Sequence, residues 1–133
     1  MNVLLDTRAL IWTLTDSSRL SARARAVIVN PGTVVHVSAV TLTEMAVKAT
    51  AGTLTMEGTT LAELPGVLTS RGVHLIAMEP TEATALATLP VRADHPDPFG
   101  RMLTIQALTR GLTLLSPDRT IPPYRKDGLS LIW

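Results

Sequence analysis

The chain lacks cysteine entirely and has few aromatic residues. Without cysteine there can be no disulfide framework, no thiolate nucleophile and no cysteine-ligated zinc site. A reducing compartment fits this composition. Aromatic residues are 3% of the sequence, so the chain does not offer the stacking platform of a typical single-strand nucleic-acid binder.

An excess of charge of either sign is also missing. The 12 lysine and arginine residues are balanced by 11 aspartate and glutamate residues, which gives a formal net charge of +1. RNA or DNA would therefore have to bind locally rather than through a general electrostatic attraction. No apolar run approaches the roughly 20 residues of a membrane span. Asp6 and Arg8 interrupt the N-terminal apolar stretch that a signal peptide would need. We expect a soluble cytoplasmic protein without a membrane partner.

Three familiar site motifs are absent. The sequence contains no Gly-x-x-x-x-Gly-Lys-Ser/Thr, no Gly-x-Gly-x-x-Gly and no Gly-x-Ser-x-Gly. The three histidines occupy separate predicted elements, with no pair at metal-ligand spacing. We expect His36 and His74 to be core or edge residues of strands, and His95 to lie in a solvated loop.

Short apolar runs alternate with helical stretches along the 133 residues, of which 46% are hydrophobic. This pattern predicts one domain over residues 1–133, with a three-layer α/β/α fold around a central, mostly parallel sheet. The predicted strands cover residues 2–5, 34–38, 73–77, 112–115 and, more weakly, 129–133. The predicted helices cover residues 8–14, 21–29, 61–70 and 81–89, with two more that begin at Thr41 and Asp97. A long loop is expected over residues 90–98.

Four acidic residues stand at the mouths of predicted strands or in the first turns of predicted helices: Asp6, Glu44, Asp97 and Asp118. Because the carboxyl ends of parallel strands face one crevice, these carboxylates can converge there. Like charges held that close repel unless a cation lies between them. A hard divalent ion such as Mg²⁺ suits an all-oxygen site, so the pattern predicts a metal site.

Each acid also has a structural alternative. Glu44 could be the capping-box partner of Thr41, and Asp97 before a proline is a favourable N-cap. Asp118 could be a turn residue. Asp6 is harder to explain structurally, because a charge that directly follows three buried apolar residues is costly unless it is paired or functional. The coincidence of all four acids favours the metal site.

Four segments resemble PIN-domain proteins, and VapC-like toxins in particular: residues 4–12, 37–48, 97–103 and 114–118. The resemblance implies Mg²⁺- or Mn²⁺-dependent cleavage of RNA, homodimerisation and neutralisation by a cognate antitoxin. It places Asp6, Glu44 and Asp118 at positions that bind metal or orient its ligands. Ser116 matches a hydroxyl position beside the last acid, and Thr7 and Arg8 are accessory candidates.

Two positions depart from the family pattern. Arg8 stands where histidine or asparagine is usual, and Gly100 replaces a first-turn aspartate that is normally a metal ligand. Glycine costs a helix about 1 kcal/mol relative to alanine, so Gly100 is neither a good helix former nor a ligand. Asp97 is expected to replace part of the missing ligand.

These observations favour a toxin that hydrolyses RNA with one or two metal ions. A degenerate or inactivated domain that only binds its antitoxin is the alternative, and a phosphatase or DNA nuclease would share the site chemistry. We expect the antitoxin to cover the apolar surface of the first two helices, formed by Leu10, Ile11, Trp12, Leu14, Ala22, Ala26 and Val29, with Trp12 as an anchor.

Overall fold

The computed structural model describes residues 1–94 and 96–133. His95, expected in a loop, lies outside the described residues. Five strands form the sheet: β1 (Asn2–Leu5), β2 (Val34–Ser38), β3 (His74–Ile76), β4 (Thr113–Leu115) and β5 (Leu131–Ile132). The α-helices are α1 (Thr7–Leu14), α2 (Ala22–Val29), α3 (Ala39–Thr50), α4 (Leu64–Ser70), α5 (Pro80–Ala85) and α6 (Pro98–Arg110). Two 3₁₀ turns cover Leu86–Thr88 and Pro122–Asp127.

All strand pairs are parallel, in the spatial order β3-β2-β1-β4-β5. The chain therefore builds outward from β1 in one direction, through β2 and β3, and then returns to add β4 and β5 on the other side. The strand order reverses between β1 and β4. In open α/β sheets a reversal of this kind leaves a crevice beyond the carboxyl ends of the two strands.

Helices cover both faces of the sheet. Val3 and Leu5 belong to one buried apolar cluster, together with residues of α1, α3 and α4. Leu4 belongs to a second cluster, which includes Leu103 and Ile105 of α6. Because successive side chains of a strand point to opposite faces, the two clusters are the two interfaces of an α/β/α sandwich. The predicted fold class is confirmed.

Two expectations about helix starts were wrong. Thr41 is not an N-cap, because α3 already begins at Ala39 and the Ser38 hydroxyl caps it by accepting a hydrogen bond from the backbone N–H of Val40. Glu44 therefore lies in the second turn of α3 and is not the partner of a capping box. The capping box of this chain is at α5, between Glu79 and Glu82.

The α2 residues expected on the antitoxin surface lie on the outside of the fold. Ala22, Ala26 and Val29 are exposed, with Val29 71% exposed, whereas Ala24 is fully buried. Leu20 precedes the helix and is buried with Ala24 in the same cluster.

Two arginines of α6 hold neighbouring segments in place. Arg101 donates to the backbone carbonyls of Leu86, Leu89 and Pro90 and to the Tyr124 hydroxyl. Arg110 forms an ion pair with the buried carboxylate of Glu82 at 2.7 Å and holds its pKa down at about 2.

Gln106 extends this network toward the sheet. Its side-chain oxygen accepts from the buried Ser38 hydroxyl at 2.5 Å, and its amide donates to the carbonyl of Ala77 at 3.0 Å. These bonds connect α6 to the end of β2 and to the segment that follows β3. Within residues 1–94 and 96–133, no helix is long and apolar enough to cross a membrane.

Candidate active site

A small cleft of about 50 Å³ opens beyond the carboxyl ends of β1 and β4. All four predicted acids lie along it. The full lining consists of Asp6, Thr7, Arg8, Glu44, Lys48, Asp97, Gly100, Leu103, Leu114, Ser116, Asp118 and Ile121. Residues that are more than a hundred positions apart in sequence thus share one surface, because β1 and β4 are neighbours in the sheet.

Asp6 lies at the base of this cleft, where β1 ends and α1 begins. Its Oδ1 caps α1 by accepting the backbone N–H of Ala9 at 2.7 Å, and its Oδ2 accepts the hydroxyl of Ser116 at 2.5 Å. Burial raises the pKa of Asp6 from 3.8 to about 6, although these two hydrogen bonds and the charge of Arg8 oppose the shift. The charge of Asp118 adds to it. The fold therefore resists the ionisation of Asp6.

Glu44 reaches the cleft from the second turn of α3. Its side chain is 6% exposed, and its Oε2 accepts a hydrogen bond from the ammonium group of Lys48 at 2.7 Å. The two residues are one helical turn apart, which is the spacing at which oppositely charged side chains meet on a helix. Lys48 was not identified from sequence as a site residue, although this spacing was visible there.

Asp118 lies two residues beyond Ser116, in the turn after β4. Its Oδ1 accepts from the backbone N–H and the hydroxyl of Thr120, so part of its role is that of a turn residue. Its Oδ2 faces the guanidinium group of Arg8 at 4.0 Å. The Arg8 side chain is 50% exposed and stands at the rim of the cleft, where it is available to solvent.

Asp97 and Gly100 form the opposite wall. Asp97 is exposed and acts as the N-cap of α6, with Oδ1 accepting the backbone N–H of Phe99 at 3.0 Å. A β-carbon built on Gly100 would meet Asp97 and Ile121 only at 3.6–3.7 Å, which is ordinary contact. Gly100 therefore leaves room that a side chain could occupy without moving its neighbours.

The donor chemistry of the cleft fits a hard divalent cation. Four carboxylates line it, and the buried hydroxyl of Thr7 has no hydrogen-bond partner. In residues 1–94 and 96–133, no three acidic or histidine side chains are arranged to hold an ion together. Mg²⁺ usually keeps several waters and uses only one or two protein carboxylates. Asp6 and the unpartnered hydroxyl of Thr7 supply oxygen atoms of this kind to the same cleft.

Comparison with family models identifies the class of protein. The model of the PIN domain matches residues 3–126. This match spans most of the sequence, so the chain belongs to the PIN-domain family, whose members are generally nucleases. A comparison with curated protein sequences gives no match.

Several solved structures share the fold at low sequence identity. VapBC2 from Rickettsia felis, bound to a DNA fragment from its promoter, aligns with a TM-score of 0.68 and 12% identity over 100% of this chain and 99% of that one. VapBC-1 from nontypeable Haemophilus influenzae aligns with a TM-score of 0.67 and 17% sequence identity, over 99% of this chain and 97% of that one. VapBC-5 from Mycobacterium tuberculosis is a member of the VapBC family of toxin-antitoxin systems. It aligns with a TM-score of 0.58 and 18% sequence identity, over 98% of this chain and 95% of that one. These similarities establish the fold.

Proposed function

We propose that this chain is the toxin of a toxin–antitoxin pair and a metal-dependent endoribonuclease that hydrolyses RNA phosphodiester bonds. The observation that carries the proposal is the convergence of Asp6, Glu44, Asp97 and Asp118 on one cleft at the strand-order reversal of a PIN domain. The toxin–antitoxin assemblies that share the fold support the biological setting.

Asp6 and Asp118 would hold Mg²⁺ or Mn²⁺, and Glu44 would hold it or orient a bound water. Such an ion activates water for attack and stabilises charge on the phosphate oxygens. Ser116 donates to Oδ2 of Asp6 and so keeps the carboxylate in a single orientation. The free hydroxyl of Thr7 adds one more hydrogen-bonding group beside Asp6.

Arg8 would position the RNA. Its guanidinium is half exposed at the rim, only loosely held by Asp118. A planar guanidinium binds phosphate oxygens through two parallel hydrogen bonds, which an ammonium group cannot do. Arg8 would therefore bring a phosphate to the carboxylates, and it compensates locally for a chain that has almost no net charge.

The proposal is tested by RNA cleavage with the purified chain, with Mg²⁺ or Mn²⁺ and with EDTA. Cleavage should require the metal and should disappear in Asp6→Asn, which keeps the size and the helix-capping oxygen of the residue. Asp94→Asn removes a charge from an exposed position outside the cleft and should leave cleavage unchanged. Cleavage that persists in EDTA or in Asp6→Asn would show that the cleft is not the nuclease site.

Gly100 supports a second candidate, an antitoxin-binding domain without catalysis. The cleft has one carboxylate fewer than the family pattern, and Arg8 and Lys48 already partner two of those that remain. Under this alternative the purified chain binds its antitoxin but does not cleave RNA.

Gly100→Asp tests whether position 100 is a lost metal-ligand position. The new carboxylate would lie at the N-terminal end of α6, where the helix dipole favours negative charge, and within the room left by glycine. Mg²⁺ affinity, measured by calorimetry, and RNA cleavage should both rise, whereas Gly100→Asn should recover much less. If Asp97→Asn abolishes metal binding while Gly100→Asp has no effect, Asp97 is the working ligand.

The antitoxin would bind the apolar surface of the first helices. Trp12 is half-buried and packs against Trp133, with ring centroids 5.7 Å apart and ring planes tilted by 52°. Leu10 is only 1% exposed and is unavailable to a partner. Beside Ile11 and Leu14, an apolar groove of about 260 Å³ also includes residues of the α3–α4 segment. Trp12→Ala should weaken antitoxin binding while the free chain stays folded. Unfolding of the free variant would assign Trp12 to the core.

A further inference from the structure

His36 and His74 stand side by side on neighbouring strands, outside the acidic cleft. They are direct register partners on β2 and β3, so their side chains leave the same face of the sheet. Their ring centroids are 5.5 Å apart, and the ring planes are inclined by 45°. The proximity of the two histidines could not be predicted from their spacing in the sequence, because they belong to different strands.

The His36 ring already has the tautomer that a metal ligand needs. Its Nδ1 is 3.0 Å from the carbonyl oxygen of Val3. A carbonyl only accepts hydrogen bonds, so Nδ1 carries the proton and Nε2 of the neutral ring has a free lone pair. Metal-binding histidines commonly donate their second N–H to a carbonyl in this way. His74 is exposed, so its ring can turn to present a nitrogen toward the same point.

The separation of the rings also suits a shared ion. Two imidazoles bound to one tetrahedral ion, each with a metal–nitrogen distance of about 2.0 Å, hold their ring centroids about 5 Å apart. The 5.5 Å between the ring centroids of His36 and His74 is close to that separation.

We propose that His36 and His74 form a site for a borderline divalent transition-metal ion such as Zn²⁺ or Ni²⁺, with water completing its coordination. Imidazole nitrogen suits these ions, whereas Mg²⁺ prefers oxygen, so the site differs in selectivity from the carboxylate cleft. Since no three acidic or histidine side chains in the described parts of the chain are arranged around one ion, only two protein ligands hold the metal.

An ion at this site would act on the edge of the sheet. The strand β3 has three residues and pairs only with β2. A metal bound to one side chain from each strand would tie this short edge strand to the sheet. Because the ion binds the folded arrangement, it stabilises the fold in proportion to its occupancy.

The test uses Zn²⁺ added to the full chain, followed by calorimetry and thermal unfolding. In Asp6→Asn, whose acidic cleft lacks one metal ligand, we expect one ion per chain and a rise in melting temperature that EDTA reverses. In His74→Gln, which alters an exposed side chain and leaves the core intact, binding should weaken at least about tenfold, because losing even an outer partner of a metal ligand typically costs 10- to 100-fold. The Zn²⁺-induced rise in melting temperature should also disappear.

Asp6→Asn separates this site from the acidic cleft and should retain both the binding and the stabilisation. The ring resonances of His36 and His74 should shift together on Zn²⁺ addition in NMR spectra. Unchanged Zn²⁺ affinity in His74→Gln would overturn the proposal. Half an ion per chain would also overturn it, because the ligands would then come from two molecules.

Discussion

Replacing Asp6 by asparagine should stabilise the metal-free protein at neutral pH. The carboxylate is buried, and burial raises its pKa from 3.8 to about 6. When an acid holds its proton more tightly in the folded state, the protein loses stability as pH rises, because the same acid ionises at a lower pH in the unfolded chain. The loss begins near pH 4, where the unfolded group ionises, and is complete just above pH 6.

The size of this stability loss follows from the pKa shift of Asp6. About two pKa units, at 1.36 kcal/mol each, give a loss of roughly 3 kcal/mol above pH 6. The free energy of unfolding of a domain is about 5–15 kcal/mol, so the ionisation of Asp6 alone would remove a substantial part of it. Asparagine imitates the protonated acid, and its side-chain oxygen can still accept the backbone N–H of Ala9, as Oδ1 of Asp6 does. Asparagine caps helices about as well as aspartate.

The assay is urea unfolding of both proteins in EDTA at several pH values from 4 to 8. The difference between them should be near zero at pH 4 and reach roughly 3 kcal/mol in favour of Asp6→Asn at pH 8. Asp94→Asn, at an exposed position, should stay within about 0.5 kcal/mol of the parent throughout. Millimolar Mg²⁺ should reduce the advantage of Asp6→Asn at pH 8, since the ion stabilises only the ionised carboxylate. A variant that is less stable than the parent at pH 8 in EDTA would refute the reasoning.

Three further predictions concern Ser116, which bonds to Asp6, and two arginines of α6. Ser116→Ala removes a hydrogen bond that lowers the pKa of Asp6, so NMR titration should find that pKa higher than in the parent. Arg110→Met leaves the buried carboxylate of Glu82 without its ion-pair partner, which should cost about 3 kcal/mol of unfolding free energy, measured in urea at pH 7. Because the pKa of Glu82 is lowered to about 2, this cost should shrink as pH falls from about 4.5 toward 2. Arg101→Lys cannot reproduce four hydrogen bonds made by a planar fork, so hydrogen exchange should quicken in the segment after α5.

The sheet could be predicted from sequence because its strands are short apolar runs, and the three that follow one another at its centre and far edge, β1, β4 and β5, are mostly buried. The runs at residues 2–5 and 34–38 were placed with the bounds that the structure has. The predicted strands over residues 73–77, 112–115 and 129–133 were each longer than observed, since apolar residues also continue into the flanking loops. The sheet is wholly parallel, as buried apolar runs separated by helices suggest.

Helix starts were harder to predict, because several residues near a boundary can cap. Ser38 and Thr41 both carry a hydroxyl, and only the former has the extended backbone of an N-cap, with φ −87° and ψ 148°. Thr41 instead lies buried with an unpartnered hydroxyl. The cap at Asp97 was foreseen correctly, since proline follows it at the first helical position.

The convergence of the acids on one cleft could be predicted from sequence because the carboxyl ends of parallel strands meet, and the Glu44–Lys48 pair could have been predicted from its helical spacing. The partner of Asp118 could not. Arg8 opposite Asp118 depends on how α1 leaves β1, and the distance of 4.0 Å between their charged groups follows from that turn. His36 beside His74 depends on which strands are neighbours, which the order of strands along the chain does not state.

Positively charged side chains offset part of the acidic charge of the cleft. Lys48 neutralises Glu44, Arg8 approaches Asp118, and Gly100 supplies no carboxylate where another would stand. The β-carbon of an aspartate at position 100 would lie 3.7 Å from Oδ2 of Asp97, so the two carboxylates would repel each other unless a cation intervened. Gly100 therefore lowers the electrostatic cost of the metal-free fold and, for the same reason, lowers the attraction of the cleft for Mg²⁺. Stability without metal and affinity for metal oppose each other at this position, so Gly100→Asp should make the melting temperature depend more steeply on Mg²⁺ than it does in the parent.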